Sequence, residues 1–313
     1  MRTTIRAKTR IGVSPLALIA GFALLVAASG PAASAAGPAL QYPEEHPVLA
    51  YYYGMRSNDV ERQIKQAQAG GIDGFIIWWD GDGGDKDHQL GQVLQAGRAS
   101  GFRATIHFHA WDSNLAGELQ GFYDKRLNDP GLVSYQGRPV IFFWATWLQS
   151  AATWNELRNQ VDPQRRAIWL ADGDKFNLVG EDAWDGISPY AIAWSGNPRG
   201  QLPSWAAKSR AVAPDKLWVP AVSPGCDDSG VRAVTCFQDR ADGAYYRATW
   251  VGALASNPSW AIVVSTWDEW SELTAIEPSG DWGDQYVQIT REYSDSFKGL
   301  SPPEMPVDDP NAG

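Results

Sequence analysis

Short runs of β-branched and aromatic residues recur eight times along the chain, and most are separated by a segment patterned for a helix. The runs are 48–53, 74–79, 104–109, 140–144, 167–170, 186–190, 217–222 and 261–264. A helix is expected over 58–68, opened by an Asn or Asp cap, and another over 90–100. Strands that alternate with helices imply a parallel sheet. Eight such units in one domain predict the α/β class and a single (β/α)8 TIM barrel. The stretch DGDKFNLVGEDAWDG, 172–186, reads as loop, so the fifth and sixth strands are the least regular pair. There are no internal repeats.

The ends are set apart from the barrel. Arg2, Arg6, Lys8 and Arg10 precede a mostly apolar run over 15–28 and an A-x-A cleavage site at Ala33-Ser34-Ala35. That is the pattern of a secretory signal over 1–35, and it predicts an exported, extracellular protein. The tail SPPEMPVDDPNAG, 301–313, is Pro-rich and acidic and is expected to be disordered. The barrel domain is then 36–300, with no stretch apolar enough to span a membrane. Loss of the four basic residues of the signal takes the formal charge from −10 to −14. So acidic a surface repels nucleic acid and anionic lipid but leaves a neutral glycan unaffected. A monomer is expected.

Chemistry is concentrated in STWDEWSELTAIEPSGDWGDQY, 265–286, where six carboxylates and three tryptophans share 22 residues. The chain has 16 tryptophans, of which about half suit core packing. Others, as in Trp78-Trp79-Asp80-Gly81 and Asp281-Trp282-Gly283, fall in polar, Gly-rich segments. There an indole face can stack on the C–H face of a sugar while neighbouring carboxylates bond its hydroxyls. A barrel builds its active site at the C-terminal ends of its strands. Asp80, His107, His109, Tyr190, Asp227, Asp228, Glu269 and Glu272 all fall at those ends.

Glu269 and Glu272 share a face only on a helical turn. Aimed into the mouth, they would be the carboxyl pair that cleaves a glycosidic bond. The competing reading is an exposed acidic loop or a capping box at Thr274-x-x-Glu277. Pro278 follows that box at once, with no apolar helical run after it. WWDGDGGDKDH, 78–88, fails as a calcium loop, with Gly84 where an acid is needed and no bidentate glutamate. It reads as a substrate-facing loop. His107 and His109 lie on one side of a strand without a third ligand at metal spacing, so neither metal nor cofactor is expected. One of the pair is expected to be a sugar hydrogen-bonding group, and the competing reading is a buried, satisfied histidine. Cys226 and Cys236, ten apart in an exported chain, predict a local disulfide that holds its loop in shape.

STWDEWSELTAIEPS resembles the signature region of glycoside hydrolase family 99, the retaining endo-acting α-mannosidases and α-mannanases, which has a form like S-x-N-E-W-x-E-G-T-x-I-E-P. AYYYGMRSNDVERQIKQAQAGGIDGFIIWWDGDG is similar to the family's opening strand, helix and strand. VSPGCDDSGVR is similar to its P-G-[YF]-D-D loop, and DGAYYRATWVGAL to the helix before the last strand. The resemblance implies that Glu269 acts as a base on the sugar 2-hydroxyl, giving a 1,2-anhydro sugar, and that Glu272 protonates the leaving group. It also matches Tyr190 to a family tyrosine ending the sixth strand. Asp268 stands in place of Asn, Ser271 in place of a residue that is often His, Leu273 in place of Gly and Cys226 in place of an aromatic. The leucine is expected to narrow or reshape the site.

The candidate catalytic residues are therefore Glu269 and Glu272. The candidate substrate-binding residues are Tyr53, Trp78, Trp79, Asp80, His107, His109, Tyr190, Asp227, Asp228, Trp267, Trp270 and Glu277. The expected function is a secreted hydrolase of internal α-glycosidic bonds in mannoside-like glycans. An α-glucanase on the same scaffold, a glycosyl-transfer relative and a non-catalytic glycan-binding barrel are the alternatives. Binding alone would not require both acids, and a signal peptide disfavours a transferase fed by a cytoplasmic nucleotide sugar.

Overall fold

The computed structural model of the chain describes residues 46–57, 59–79, 81–109 and 114–300. The signal segment, the tail and Asp80 lie outside the described residues. The first strands are β1 (Val48–Tyr52), β2 (Gly74–Trp79), β3 (Arg103–His109), β4 (Ser134–Tyr135) and β5 (Arg138–Trp144). They are followed by β6 (Ile168–Ala171), β7 (Gly186–Ile187), β8 (Leu217–Trp218) and β9 (Ala221–Val222). The last are β10 (Cys226–Asp227), β11 (Phe237–Gln238) and β12 (Ile262–Val264). Helices α1 (Val60–Ala69), α2 (Asp85–Gly97), α3 (Leu115–Lys125) and α4 (Ala151–Val161) flank the first half. The second half carries α5 (Phe176–Val179), α6 (Pro198–Val212), α7 (Ala244–Ala255) and α8 (Gln285–Phe297). Asp59 starts α1 as its predicted cap, accepting from Arg62 N at 3.0 Å.

The main sheet runs β8-β7-β6-β5-β3-β2-β1-β12-β9, parallel throughout, with β4 antiparallel on β5. Its two ends, β8 and β9, are halves of the single strand predicted over 217–222. Pro220 divides them, because it has no N–H to give a ladder. Val219 N donates to Ile187 O at 3.0 Å, whereas Val263 N donates to Pro220 O at 3.0 Å. The seventh segment thus changes partner from β7 to β12 within two residues, and this step closes the barrel.

Period-2 alternation then sorts the core into two layers. Val48, Ala50 and Tyr52 face outward to the helices, in one cluster with Ile64, Leu90, Phe122, Trp154 and Tyr246. Leu49, Tyr51, Ile76, Val140, Phe142, Ile168 and Leu170 fill the interior. The supposed loop 172–186 contains a one-turn helix, α5, whose Phe176 and Val179 are buried. Those two side chains give it an apolar face that the surrounding acids and glycines conceal in the sequence. Cys226 and Cys236 form the expected disulfide, with Cα atoms 5.9 Å apart across the β10–β11 hairpin.

Candidate active site

Strand period also decides which side chains reach the mouth. The inward series on β1 ends at Tyr53, on β2 at Trp78, on β3 at His109 and on β5 at Trp144. All four are half-buried and form a row of rings. Centroids are 6.0 Å apart from Tyr53 to Trp78, 5.1 Å from Trp78 to His109 and 5.1 Å from His109 to Trp144. Burial pushes the His109 imidazole down to about 3. His107 sits one layer deeper, its ring 4.5 Å from Tyr51, with no hydrogen-bond partner for either nitrogen among the described residues. Burial first, and His109 second, hold it well below the usual imidazole range. Both histidines are therefore neutral, and His107 is not the satisfied core histidine of the bland reading.

Trp79 points the other way. Its ring is buried against Phe122 of α3 at 5.8 Å and Phe108 at 6.1 Å. Trp267 likewise packs on Phe75 at 5.7 Å, in the helix-facing layer. Neither can meet a substrate: on β2 the one-residue step from Trp78 turns Trp79 to the opposite face, and Trp267, beyond β12, is buried in that same outer layer. Two acids of the 78–88 segment are also occupied. Asp82 pairs with Lys125, and Asp87 pairs with Arg126 at 3.2 Å, at the end of α3. This corrects the substrate-facing reading for those two acids. Asp80 lies outside the described residues. Among the described residues no group of three or more His, Cys, Asp or Glu could hold a metal.

Next to Tyr53, on the neighbouring strand, the chain leaves β12 in an irregular turn. Thr266 Oγ1 accepts from Glu269 N at 2.8 Å, Thr274 N donates to Glu269 O at 3.1 Å, and Ile276 N donates to Trp267 O at 3.0 Å. These bonds fix the expected turn through Trp270–Leu273 without a helix. Leu273 closes it at φ +50°, a left-handed conformation that favours glycine, and its side chain is exposed. The leucine therefore adds backbone strain and an apolar group on the rim, rather than narrowing the interior.

Glu269 is buried, and Ser271 donates to its Oε1 from both N, at 3.0 Å, and the hydroxyl. Burial raises its carboxyl above the ordinary range, Ser271 draws it back, and Glu272 pushes it up again. Glu272 is half-buried. Arg232 Nη2 donates to its Oε1 at 2.6 Å, while Arg232 Nε donates to Asp228 Oδ2 at 2.9 Å. Arg232 comes from the disulfide-closed loop, which also meets the glutamate turn through Asp227 N donating to Glu272 O at 2.9 Å. Asp227 lines the rim of a cleft of about 440 Å³ with Ser229, Val231, Trp270, Ser271 and Leu273. Asp228 is fully buried and accepts from Thr235 N at 2.9 Å and Cys236 N at 3.1 Å. Its oxygens shape the loop and are not offered to a ligand.

Two tyrosines join the halves: Tyr53 and Tyr190 hydroxyls are 3.4 Å apart. Burial raises both phenols, and the charges of Glu269 and Glu272 add to it. Trp270 is oriented by Glu277, whose Oε2 accepts from its Nε1 at 3.0 Å, and it stacks on Trp282 at 5.1 Å. Glu277 is buried there and bonds protein, so the structure gives it an orienting place and not a ligand's. Sequence reasoning missed four residues, Arg232 among them. Trp144 and Asp172 follow Phe142 and Leu170 by two, so the strand period could have found them. Asp172 is buried and accepts from Gly173 N at 2.6 Å and Tyr190 N at 2.8 Å; burial lifts its carboxyl to about 6. Asp268 is buried below the turn, with Oδ1 accepting from Tyr53 N at 2.7 Å and Oδ2 from Met55 N at 3.0 Å. Burial lifts it to about 7. It holds the Tyr53 backbone, and no sequence signal points to that partner.

The sequence model of glycosyl hydrolase family 99 matches residues 42–297. No curated protein sequence matches the chain. Among solved structures, the family 99 endo-α-mannosidase of Bacteroides thetaiotaomicron in complex with bis-tris-propane is similar, with a TM-score of 0.71 at 18% identity. The alignment covers 81% of this chain and 98% of that one. A second structure of the endo-α-mannosidase from the same organism gives 0.70 at 17%, covering 81% and 98%. A glycoside hydrolase-like protein gives 0.62 at 13%, covering 82% and 96%. At these identities the structural likeness speaks to the fold.

Proposed function

The chain belongs to glycosyl hydrolase family 99 and is a glycoside hydrolase, and from that premise we propose that it cleaves internal α-mannosidic bonds with retention of configuration. The observation that carries the reading is the carboxyl pair Glu269 and Glu272, held at the end of β12 beside Tyr53, where a row of aromatic rings begins. Glu269 takes the proton of the substrate's 2-hydroxyl as that oxygen attacks C1. The C1–oxygen bond to the leaving sugar breaks, and Glu272 gives that oxygen its proton. In the second half Glu272 takes a proton from water, the water oxygen bonds C1, the anhydro ring opens, and Glu269 returns its proton to O2. The raised affinity of Glu269 for a proton suits a base facing an alcohol. Arg232 has donors only, so its bond to Glu272 Oε1 leaves Oε2 to carry the transferred proton. The neutral histidines and rings suit an uncharged sugar.

Export through the 1–35 signal belongs to the same proposal, since a polymeric glycan is met outside the cell. The test is product analysis on a panel of α-mannans and α-glucans, with the product anomer read by NMR. Oligosaccharides of retained configuration from α-mannan are expected. Cleavage of α-glucan alone would replace mannose by glucose, and an inverted product would exclude the mechanism. A 2-fluoro sugar separates it from a carboxylate nucleophile, because no hydroxyl is present to attack. A covalent adduct on either glutamate would end the anhydro-sugar route.

A further inference from the structure

The aromatic row does not stop at the mouth. Trp147, the second residue beyond Ala145 in the short 3-10 turn Thr146–Leu148, continues it, with its ring 6.1 Å from Trp144. It is 45% exposed, a large apolar ring turned to solvent where burial would be favourable. Its backbone is nevertheless pinned. Ala145 turns the chain off β5 at φ +56°, Leu148 N donates to Ala145 O at 2.9 Å, and Thr146 Oγ1 donates to Asp172 O at 2.7 Å. Trp154 Nε1 donates to Thr146 O at 2.8 Å from below. The ring itself rests on Gly173, at φ +97°, where a Cβ would stand 2.9 Å from Trp147 Cε3. An alanine there would displace the ring, so the absence of a side chain at 173 makes the seat.

We propose that Trp147 is a remote glycan-binding platform, the outer end of a ring row that starts beside Glu269 and Glu272 and receives a neutral polysaccharide several sugars from the cleavage point. This rests on the glycoside hydrolase reading above and deepens it, since it predicts selection for long chains. The inner rings Trp78, His109 and Trp144 stack on one another, whereas Trp147 is tilted by 57° from Trp144 and is the exposed end of the row. A stacked ring presents an apolar face at low ordering cost and asks for no charge on the ligand.

The experiment compares Trp147→Ala, Trp147→Phe and the unaltered chain on polymeric α-mannan and on α-mannotriose, by kinetics and by equilibrium binding. KM and Kd for the polymer should rise about tenfold in Trp147→Ala, the order expected for one lost ring contact. The phenylalanine variant should recover most of the loss. The trisaccharide should be cleaved or bound as before, and thermal unfolding should be unchanged. Gly173→Ala should reproduce the polymer effect without altering the tryptophan. Equal losses on both ligands, or none on either, would overturn the platform. Failure of the mannosidase reading is a separate outcome: no product from any α-mannan, with polymer binding still weakened by Trp147→Ala. A polymer that binds the unaltered chain nowhere overturns the platform as well.

Discussion

The two walls of the mouth are built differently. On the β1–β5 side, Tyr53, Trp78, His109 and Trp144 stand where regular strands put every second residue. On the β12 side, Glu269 and Glu272 hang from a turn whose shape comes from Thr266, Thr274 and Ile276 hydrogen bonds and from a disulfide-closed neighbour that supplies Arg232. Binding a neutral chain needs area and tolerates small displacements. Proton transfer needs two oxygens held to a fraction of an ångström. The wall that binds can be periodic; the wall that reacts is made of local, specific bonds.

The comparison is tested most severely on the acid wall. Glu269→Gln and Glu272→Gln should each lower kcat by about 10² to 10⁴-fold or more, with thermal unfolding close to that of the unaltered chain. Near-normal turnover in either would remove that residue from the mechanism. Next comes the pair Trp78 and Trp79, neighbours on β2 with opposite facing. Trp79→Ala should cost about 3–5 kcal/mol of stability by cavity formation, measured by urea unfolding, with KM intact. Trp78→Ala should raise KM for α-mannan and cost less stability. If the two variants behave alike, the inward–outward division of the barrel is wrong.

A smaller effect is expected one step behind the acid. Arg232→Gln removes a charge-assisted bond worth about 1.5–3 kcal/mol, so kcat should fall by about tenfold or more with KM little changed. Reducing the Cys226–Cys236 disulfide should act in the same direction, because it frees the loop that delivers Arg232. A loss in KM alone would move Arg232 from positioning Glu272 to holding substrate.

The effect on function should be smallest at Asp268, where the readout is stability against pH. Its carboxyl keeps a proton to about pH 7 in the folded chain, against the ordinary 3.8. The folded state therefore binds more protons between those values, and stability falls as pH rises through that window. Asp268→Asn does not titrate, so its urea midpoint should be flatter from about pH 4 to 7. At low pH it should lie lower, by about 1 kcal/mol for a hydrogen bond lost beneath Tyr53 or Met55. Equal slopes in the two proteins would show that Asp268 titrates normally.

Much of this was legible before any coordinates. Alternating strands and helices identify the barrel, and the position of Glu269 and Glu272 after the last apolar run identifies the reacting wall. Trp79 was misplaced because density of tryptophan, rather than strand parity, selected it, and Trp267 lies beyond the end of β12, where parity does not apply. Parity was available: Trp78 and Trp79 cannot both face inward. The Pro220 switch was legible in principle, since a proline within a run interrupts one ladder, but the partner it gains lies 43 residues on at Val263. Asp228, Glu277 and Asp268 show what stays hidden. Each carboxylate is taken by backbone or side-chain donors brought from elsewhere by the fold, and the sequence near them reads the same whether it faces a sugar or a loop.

The most direct test of the division is equilibrium binding of polymeric α-mannan to Glu269→Gln beside the unaltered chain. If the acid wall reacts and the ring wall binds, Kd should stay within about twofold while product formation stops. Loss of binding together with cleavage would place Glu269 among the groups that hold the glycan, and continued cleavage would remove it from the chemistry altogether.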